Sequence, residues 1–214
     1  MRKETELKSY KLEEVQPHEL LGNLCFSVVD FETTIHYKKG SVQEPIEVAI
    51  VPIVNSAIDN DGIFRTLIKP TCDLSDSLLN LGKVPRQELD TAPVLATIRS
   101  EVRRRLLCTV IVHHSANGFD TRICRDFFNI NLERIVEINT LRLSRRINPK
   151  AGSHSLDNVA LRWKVSAKSE KAHRAEYDAI VTAKIFIKML NWLGKTDSIT
   201  TFGQLSIFCN GLES

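Results

Sequence analysis

Asp30 and Glu32 stand two residues apart at the end of a short apolar run, LCFSVV over residues 24–29. Residues i and i+2 of a strand share a face, so the two carboxylates lie side by side. Neighbouring buried anions repel unless a cation sits between them. An oxygen-only ligand pair suits a hard divalent ion such as Mg²⁺ or Mn²⁺. A strand that simply ends in a polar loop has the same spelling. Asp120 follows another apolar run and heads a helical stretch, where the helix dipole alone would favour an acid. His173 and Asp178 lie five residues apart across a loop-to-helix junction. They read as a base and a further carboxylate, or as a surface histidine and an ordinary helix acid.

The elements that must position these groups follow from periodicity. Apolar runs rich in β-formers predict strands at 24–29, 46–54 and 63–69, with the turn signal Asp59-Asn60-Asp61-Gly62 between the last two. Helical spacing of Val94, Ile98, Val102 and Leu106 behind Pro93 predicts a helix over 93–107. A strand at 109–113, a helix at 119–128 and a strand–helix passage through 134–147 follow. Another helix starts near Ser155. The last strong helix spans about 175–193, with Ala179, Ala183, Phe186, Leu190 and Leu193 inward and Gly194 as its stop. Residues 1–20 are dense in charge and read as an arm or helix, and residues 195–214 lose periodicity like a tail. The pattern is an α/β domain with a mixed sheet whose antiparallel strands come early.

Composition bounds the class. The chain has 214 residues, 43% hydrophobic and 26% charged, with only 9 Gly and 7 Pro, which excludes a low-complexity chain. The five cysteines are odd in number and show no CxxC spacing, so a disulfide framework or cysteine zinc site is not expected and a reducing cytoplasm is. No apolar run is long enough to span a membrane, and the charged N-terminus lacks the apolar core of a secretory signal. The net charge of +3 neither requires nor opposes a nucleic-acid partner.

Taken together, FSVVDFETT, NGFDTRICRDFF and HRAEYDAIVTAKIF resemble the three exonuclease motifs of the DnaQ-like 3′→5′ exonucleases, the DEDDh branch of the RNase H-like fold. The intervening chain is similar too: INTLRLSRRINP resembles the family's DTLxLAR region, and SHSLDNVALRWKV its SYSLDxLAxxLGI region. The likeness runs over about residues 24–193. His173 stands five before Asp178, where the histidine branch has its base. Arg174 occupies the place that is tyrosine in the other branch.

The resemblance implies an RNase H-like mixed five-stranded sheet flanked by helices. It implies that Asp30, Glu32, Asp120 and Asp178 hold two Mg²⁺ or Mn²⁺ ions and that His173 accepts the proton of the attacking water, releasing nucleoside 5′-monophosphates. Thr33 and Thr34 are implied contacts of the terminal nucleotide, with His114, Asn117 and Arg174 as further substrate contacts. Two departures stand out. Ile35 replaces the usual glycine, and in the second motif His114 lies one place too far from Asp120 and Asn117 one place too near, so that loop is expected to be rebuilt.

Lys and Arg crowd residues 142–174 against only Asp157 and Glu170, which suits the phosphates of a single strand. In the tail, Gln204-Leu205-Ser206-Ile207-Phe208 is similar to the bacterial sliding-clamp-binding pentapeptide. Its Gln204 would be a polar anchor, and Leu205, Ile207 and Phe208 would enter an apolar groove; the same apolar residues could instead pack back on the domain as a final helix or strand. The sequence thus predicts an arm at 1–22, an exonuclease domain at 23–194 and a tail at 195–214. The expected activity is trimming of single-stranded or frayed DNA 3′ ends in proofreading or repair. Its rivals are an RNA-trimming enzyme of the same chemistry and a non-catalytic adaptor for nucleic-acid ends or a replisome partner.

Overall fold

The computed structural model describes residues 15–34, 43–71, 84–107, 109–131, 136–165 and 174–210. Strand β1 (Phe26–Thr33) is central. It pairs antiparallel with β2 (Pro45–Val54) and parallel with β5 (Val110–His113). Strand β6 (Glu137–Asn139) extends the sheet beyond β5 in parallel. Strands β3 (Ala57–Ile58) and β4 (Phe64–Leu67) both pair antiparallel with β2. The mixed sheet is therefore six-stranded rather than five-stranded. The added member is the two-residue β3, too short to leave a periodic signal.

The reversal from β2 into β3 is made by Asn55 and Ser56, both at positive φ (51° and 62°), the geometry a tight hairpin needs. The Asp59–Gly62 signal is instead a short 3₁₀ turn linking β3 to β4, in which the Asp59 side chain accepts from the Gly62 amide. A Cβ at Gly62 would sit 2.8 Å from Pro52 Cγ, so only glycine fits.

Helices cover both faces of the sheet. In chain order they are α1 (Arg86–Asp90), α2 (Leu95–Leu106), α3 (Phe119–Phe128), α4 (Thr140–Ile147), α5 (Leu156–Arg162), α6 (Ala175–Thr196) and α7 (Phe202–Asn210). Alternation along β1 sends Phe26 and Val28 into one core with α6, and Val29 and Phe31 into another with α2 and α3. Ala175, Ala179 and Ala183 are fully buried along one face of α6. Their small side chains let the helix approach the sheet closely. Further along, the Phe186 ring meets Phe26 edge-on with centroids 5.1 Å apart. Burying such a ring contributes about 1.5–3 kcal/mol.

Gly194 lies inside α6 and does not end it. The helix runs to Thr196, and the Asp197 and Ile199 amides both close onto the Leu193 carbonyl. The segment read as a tail is folded over its described residues. Residues 199–203 pair with residues 17–21 through the Leu21 amide on Thr200 O (2.9 Å), Phe202 on Glu19 O (2.9 Å) and Gly203 on Pro17 O (2.8 Å). Ile199, Leu205 and Cys209 join the same core as Leu21 and Leu24. The described parts of the predicted arm and tail thus clasp one another on the domain. No helix among the described residues is long and apolar enough to cross a membrane.

Candidate active site

Asp30 and Glu32 leave β1 on the side of Phe26 and Val28, the side that α6 covers. Asp178 sits one turn into α6, and its amide is held by the Arg174 carbonyl at 3.1 Å. Strand parity and helix placement therefore bring three carboxylates to one spot: ligand oxygens of Asp30, Glu32 and Asp178 all lie within 4.8 Å of one another. Asp120 arrives from the opposite layer, at the first turn of α3. It lies beside Phe31 of β1, and its charge presses on Asp30.

The electrostatics are those of crowded anions. Burial pushes the Asp30 carboxyl well above its usual range, and Asp120, Glu32, Asp178 and Glu47 push it further. Burial, then Asp178 and Glu47, raise Glu32 to about 8. Burial raises Asp120 as well, against the opposing pull of His113. Half-buried, mutually repelling carboxylates with oxygen donors only fit a hard divalent cation, which would relieve the repulsion that raises them.

This predicts a pH signature. Between about 4.5 and 8 the folded, metal-free protein holds protons on Glu32 that the unfolded chain has released. Its stability must therefore fall as pH rises through that window. Metal must displace those protons, so its affinity rises over the same interval. Melting curves from pH 5 to 9 should show a melting temperature in chelator that declines by roughly 3–6 °C relative to the Mg²⁺-loaded protein. A gap independent of pH would refute this account of the cluster.

The remaining predicted contacts have varied fates. Thr33 lies at a bulge at the end of β1, where the register with β2 shifts. Thr34 is buried, its hydroxyl accepting from the Glu44 amide at 3.0 Å, so it ties β1 to β2 rather than facing a ligand. His114 turns inward: Nδ1 lies 2.8 Å from Thr140 Oγ1 and Nε2 3.0 Å from the His154 carbonyl. Burial lowers its pKa to about 4. Both ring nitrogens are engaged within the fold. Asn117 is exposed in a 3₁₀ turn, and it and Gly118 adopt left-handed conformations (φ 54° and 62°) that swing the rebuilt loop into α3. Arg174 is committed to Glu47, with Nε 3.0 Å and Nη2 3.2 Å from the carboxylate oxygens, and so is not a free substrate contact. His173 lies outside the described residues.

The clamp-like pentapeptide is not an extended peptide. Gln204–Phe208 belongs to α7. Gln204 Oε1 accepts from the Thr200 and Thr201 amides at 2.9 and 3.0 Å, Leu205 is fully buried, and Phe208 packs against the core. Ile207 alone among the apolar anchors stays exposed.

Two neighbours of the carboxylates escaped the sequence reading. His113 is fully buried, its Nδ1 2.8 Å from Ser115 Oγ and 3.7 Å from Asp120 Oδ2, its Nε2 3.5 Å from Glu137 Oε2. It backs Asp120, and its nearness holds the Glu137 carboxyl below its ordinary range. Glu47 is buried in β2 and grips both the Arg174 guanidinium and the Ala175 amide. A lone charge within IEVAIVPIV was the available signal for Glu47. For His113 it was strand parity with Ile111.

Residues 27–186 match the RNase_T family model, described as an exonuclease. The DNA polymerase III PolC-type protein of Ureaplasma parvum is 29% identical over 189 residues, which cover 87% of this chain and 13% of that protein. A DNA polymerase III subunit epsilon-like protein of Rhodobacter capsulatus is 30% identical, covering 86% and 26%. The chain thus spans about an eighth to a quarter of the length of these curated relatives. Among solved structures, Exonuclease X in complex with 5′ overhanging duplex DNA superposes with a TM-score of 0.61 at 19% identity, covering 84% of this chain and 99% of that one. The nuclease domain of 3′hExo, a DEDDh family member bound to rAMP, gives 0.63 at 17%, covering 78% and 92%. These likenesses agree on the RNase H-like fold described above.

Proposed function

Since the chain belongs to the DnaQ-like exonuclease family, we propose that it is a metal-dependent 3′→5′ exonuclease that removes nucleoside 5′-monophosphates from single-stranded or frayed DNA ends. The observation that carries this reading is the convergence of Asp30, Glu32 and Asp178 within 4.8 Å, with Asp120 pressing on Asp30 from the other layer. These four carboxylates are the residues that would hold two Mg²⁺ or Mn²⁺ ions. Bound there, the ions would activate a water and neutralise the leaving 3′-oxyanion.

The chain's own side chains do the rest. His113 fixes Asp120 from behind. Glu47 anchors Arg174 and Ala175, and thereby the point where the chain leaves His173 for α6. His173 is the proposed acceptor of the water proton, a role an imidazole can fill near neutral pH. Thr33, at the bulged end of β1, is the proposed contact of the terminal nucleotide.

DNA as substrate, and a setting in proofreading or repair, find support in relatives named as DNA polymerase III proteins. Capture by a sliding clamp would require α7 to leave the core that buries Leu205, and it forms no part of this reading. The test is side-by-side digestion of DNA and RNA oligonucleotides of one sequence. Stepwise loss of 5′-monophosphates from the DNA 3′ end is expected, and chelator should stop it. A strong preference for RNA would overturn the substrate assignment. No trimming of either would leave the adaptor reading in its place.

A further inference from the structure

We propose that the groove between α4 and α7 is a second phosphate site, which holds the backbone of a nucleic-acid strand away from its reacting 3′ end. The inference rests on the exonuclease reading and adds to it a place for the rest of the strand.

Arg142, Arg145 and Arg146 stand at i, i+3 and i+4 on α4, all exposed, and so share one helix face. Together with Cys209 of α7 they line a concavity of about 340 Å³. Arg142 and Cys209 also line an adjoining concavity of about 360 Å³ with Ser206 and Phe202. The two form one groove with α4 and α7 as its walls.

Several other arginines of the chain are neutralised by carboxylates, and Arg99, Arg103 and Arg162 donate to backbone carbonyls. Arg65 pairs with Glu176, Arg104 and Arg105 with Glu101, Arg125 with Asp126 and Arg174 with Glu47. Arg142, Arg145 and Arg146 have no carboxylate at ion-pair distance among the described residues. Glu137, at the far end of the groove, directs its carboxylate to His113 instead. Nor is Cys209 an internal counter-anion, since burial raises its pKa to about 12.

Like charges at i, i+3 and i+4 repel; Glu137 offsets part of this for Arg142 and the α4 C-terminus part of it for Arg145 and Arg146, and an external anion would relieve the rest. Guanidinium forks match phosphate oxygens in pairs, and three on one face suit a repeating phosphodiester better than a single ion. The groove also lies near the site: Glu137 and Asn139, which line it, contact His113 and the Ser115 carbonyl beside Asp120.

The test is binding of a fluorescent single-stranded DNA of about 20 nucleotides, read by anisotropy in chelator over about 50 to 200 mM salt. Converting Arg142, Arg145 and Arg146 together to Gln should weaken binding about tenfold or more and flatten the slope of log K against log salt by about 2. Ser206→Glu, from the opposite wall, should weaken it independently. Melting curves confirm that each variant is folded. A control removes the same charge elsewhere through Arg86→Gln, Arg104→Gln and Arg125→Gln. Equal losses in groove and control variants would overturn the proposal, as would wild-type binding by the groove variants. So would tight binding of pyrophosphate that the oligonucleotide does not displace, or of a poly-glutamate peptide with the oligonucleotide ignored. No cleavage enters this measurement. Failure of the protein to trim DNA would remove the exonuclease reading and leave the groove result standing.

Discussion

Asp30→Asn is expected to abolish trimming of DNA 3′ ends while making the metal-free protein more resistant to heat. Asp30 bears the densest repulsion in the molecule: burial, Asp120, Glu32, Asp178 and Glu47 all raise its pKa. An amide of the same shape removes one charge from that crowd, so the folded state gains relative to the unfolded one wherever the native carboxyl would ionise. The same change deletes a proposed metal ligand. Losing metal stabilisation of the transition state forfeits several kcal/mol, a rate loss of about a hundred- to ten-thousandfold. Trimming assays and melting curves in chelator test both halves together. The variant should melt a few degrees higher than wild type in chelator, by about 2–4 °C for each kcal/mol gained, and Mg²⁺ should raise its melting temperature less. A variant that is inactive and also less stable without metal would show that Asp30 is held by structure rather than by the need for a cation.

Glu47→Ala should destabilise the fold and impair catalysis at a distance. The Glu47 side chain is only 1% exposed, and it satisfies the Arg174 guanidinium and the Ala175 amide at the start of α6. Removing one partner of a buried pair leaves the other uncompensated. Arg174 keeps 26% of its side chain in solvent, which places the expected cost at about 2–4 kcal/mol, at or below the range for fully buried pairs. Denaturant unfolding measures it. Glu47→Gln separates positioning from charge. It keeps the shape and one acceptor but removes an anion that raises both Asp30 and Glu32. The pH at which Mg²⁺ begins to stabilise the protein should therefore move downward in Glu47→Gln. If Glu47→Gln unfolds like Glu47→Ala and leaves that pH unmoved, Glu47 serves the fold alone.

Strand and helix patterns were readable because their periods are local. Alternation in FSVVDFET places Asp30 and Glu32 on one face whatever surrounds them, and helical spacing in AEYDAIVTAKIF determines which side of α6 is buried. The motif residues likewise carried the family. Convergence was not local. Asp178 reaches Asp30 because three alanines let α6 close on the sheet, and Asp120 comes around the end of β1 from the other layer.

Competition between partners was not local either. His114, Arg174 and Gln204 each have groups that a substrate or a second protein would want, and the sequence assigned them outward. In the folded chain Thr140 and His154, Glu47, and the Thr200–Thr201 amides claim them first. The apolar Leu205 made the same choice, for its own core rather than a partner's groove. A side chain's type states what it can bind. Which of several suitable partners it meets depends on distances between segments far apart in the chain, and only packing sets those distances.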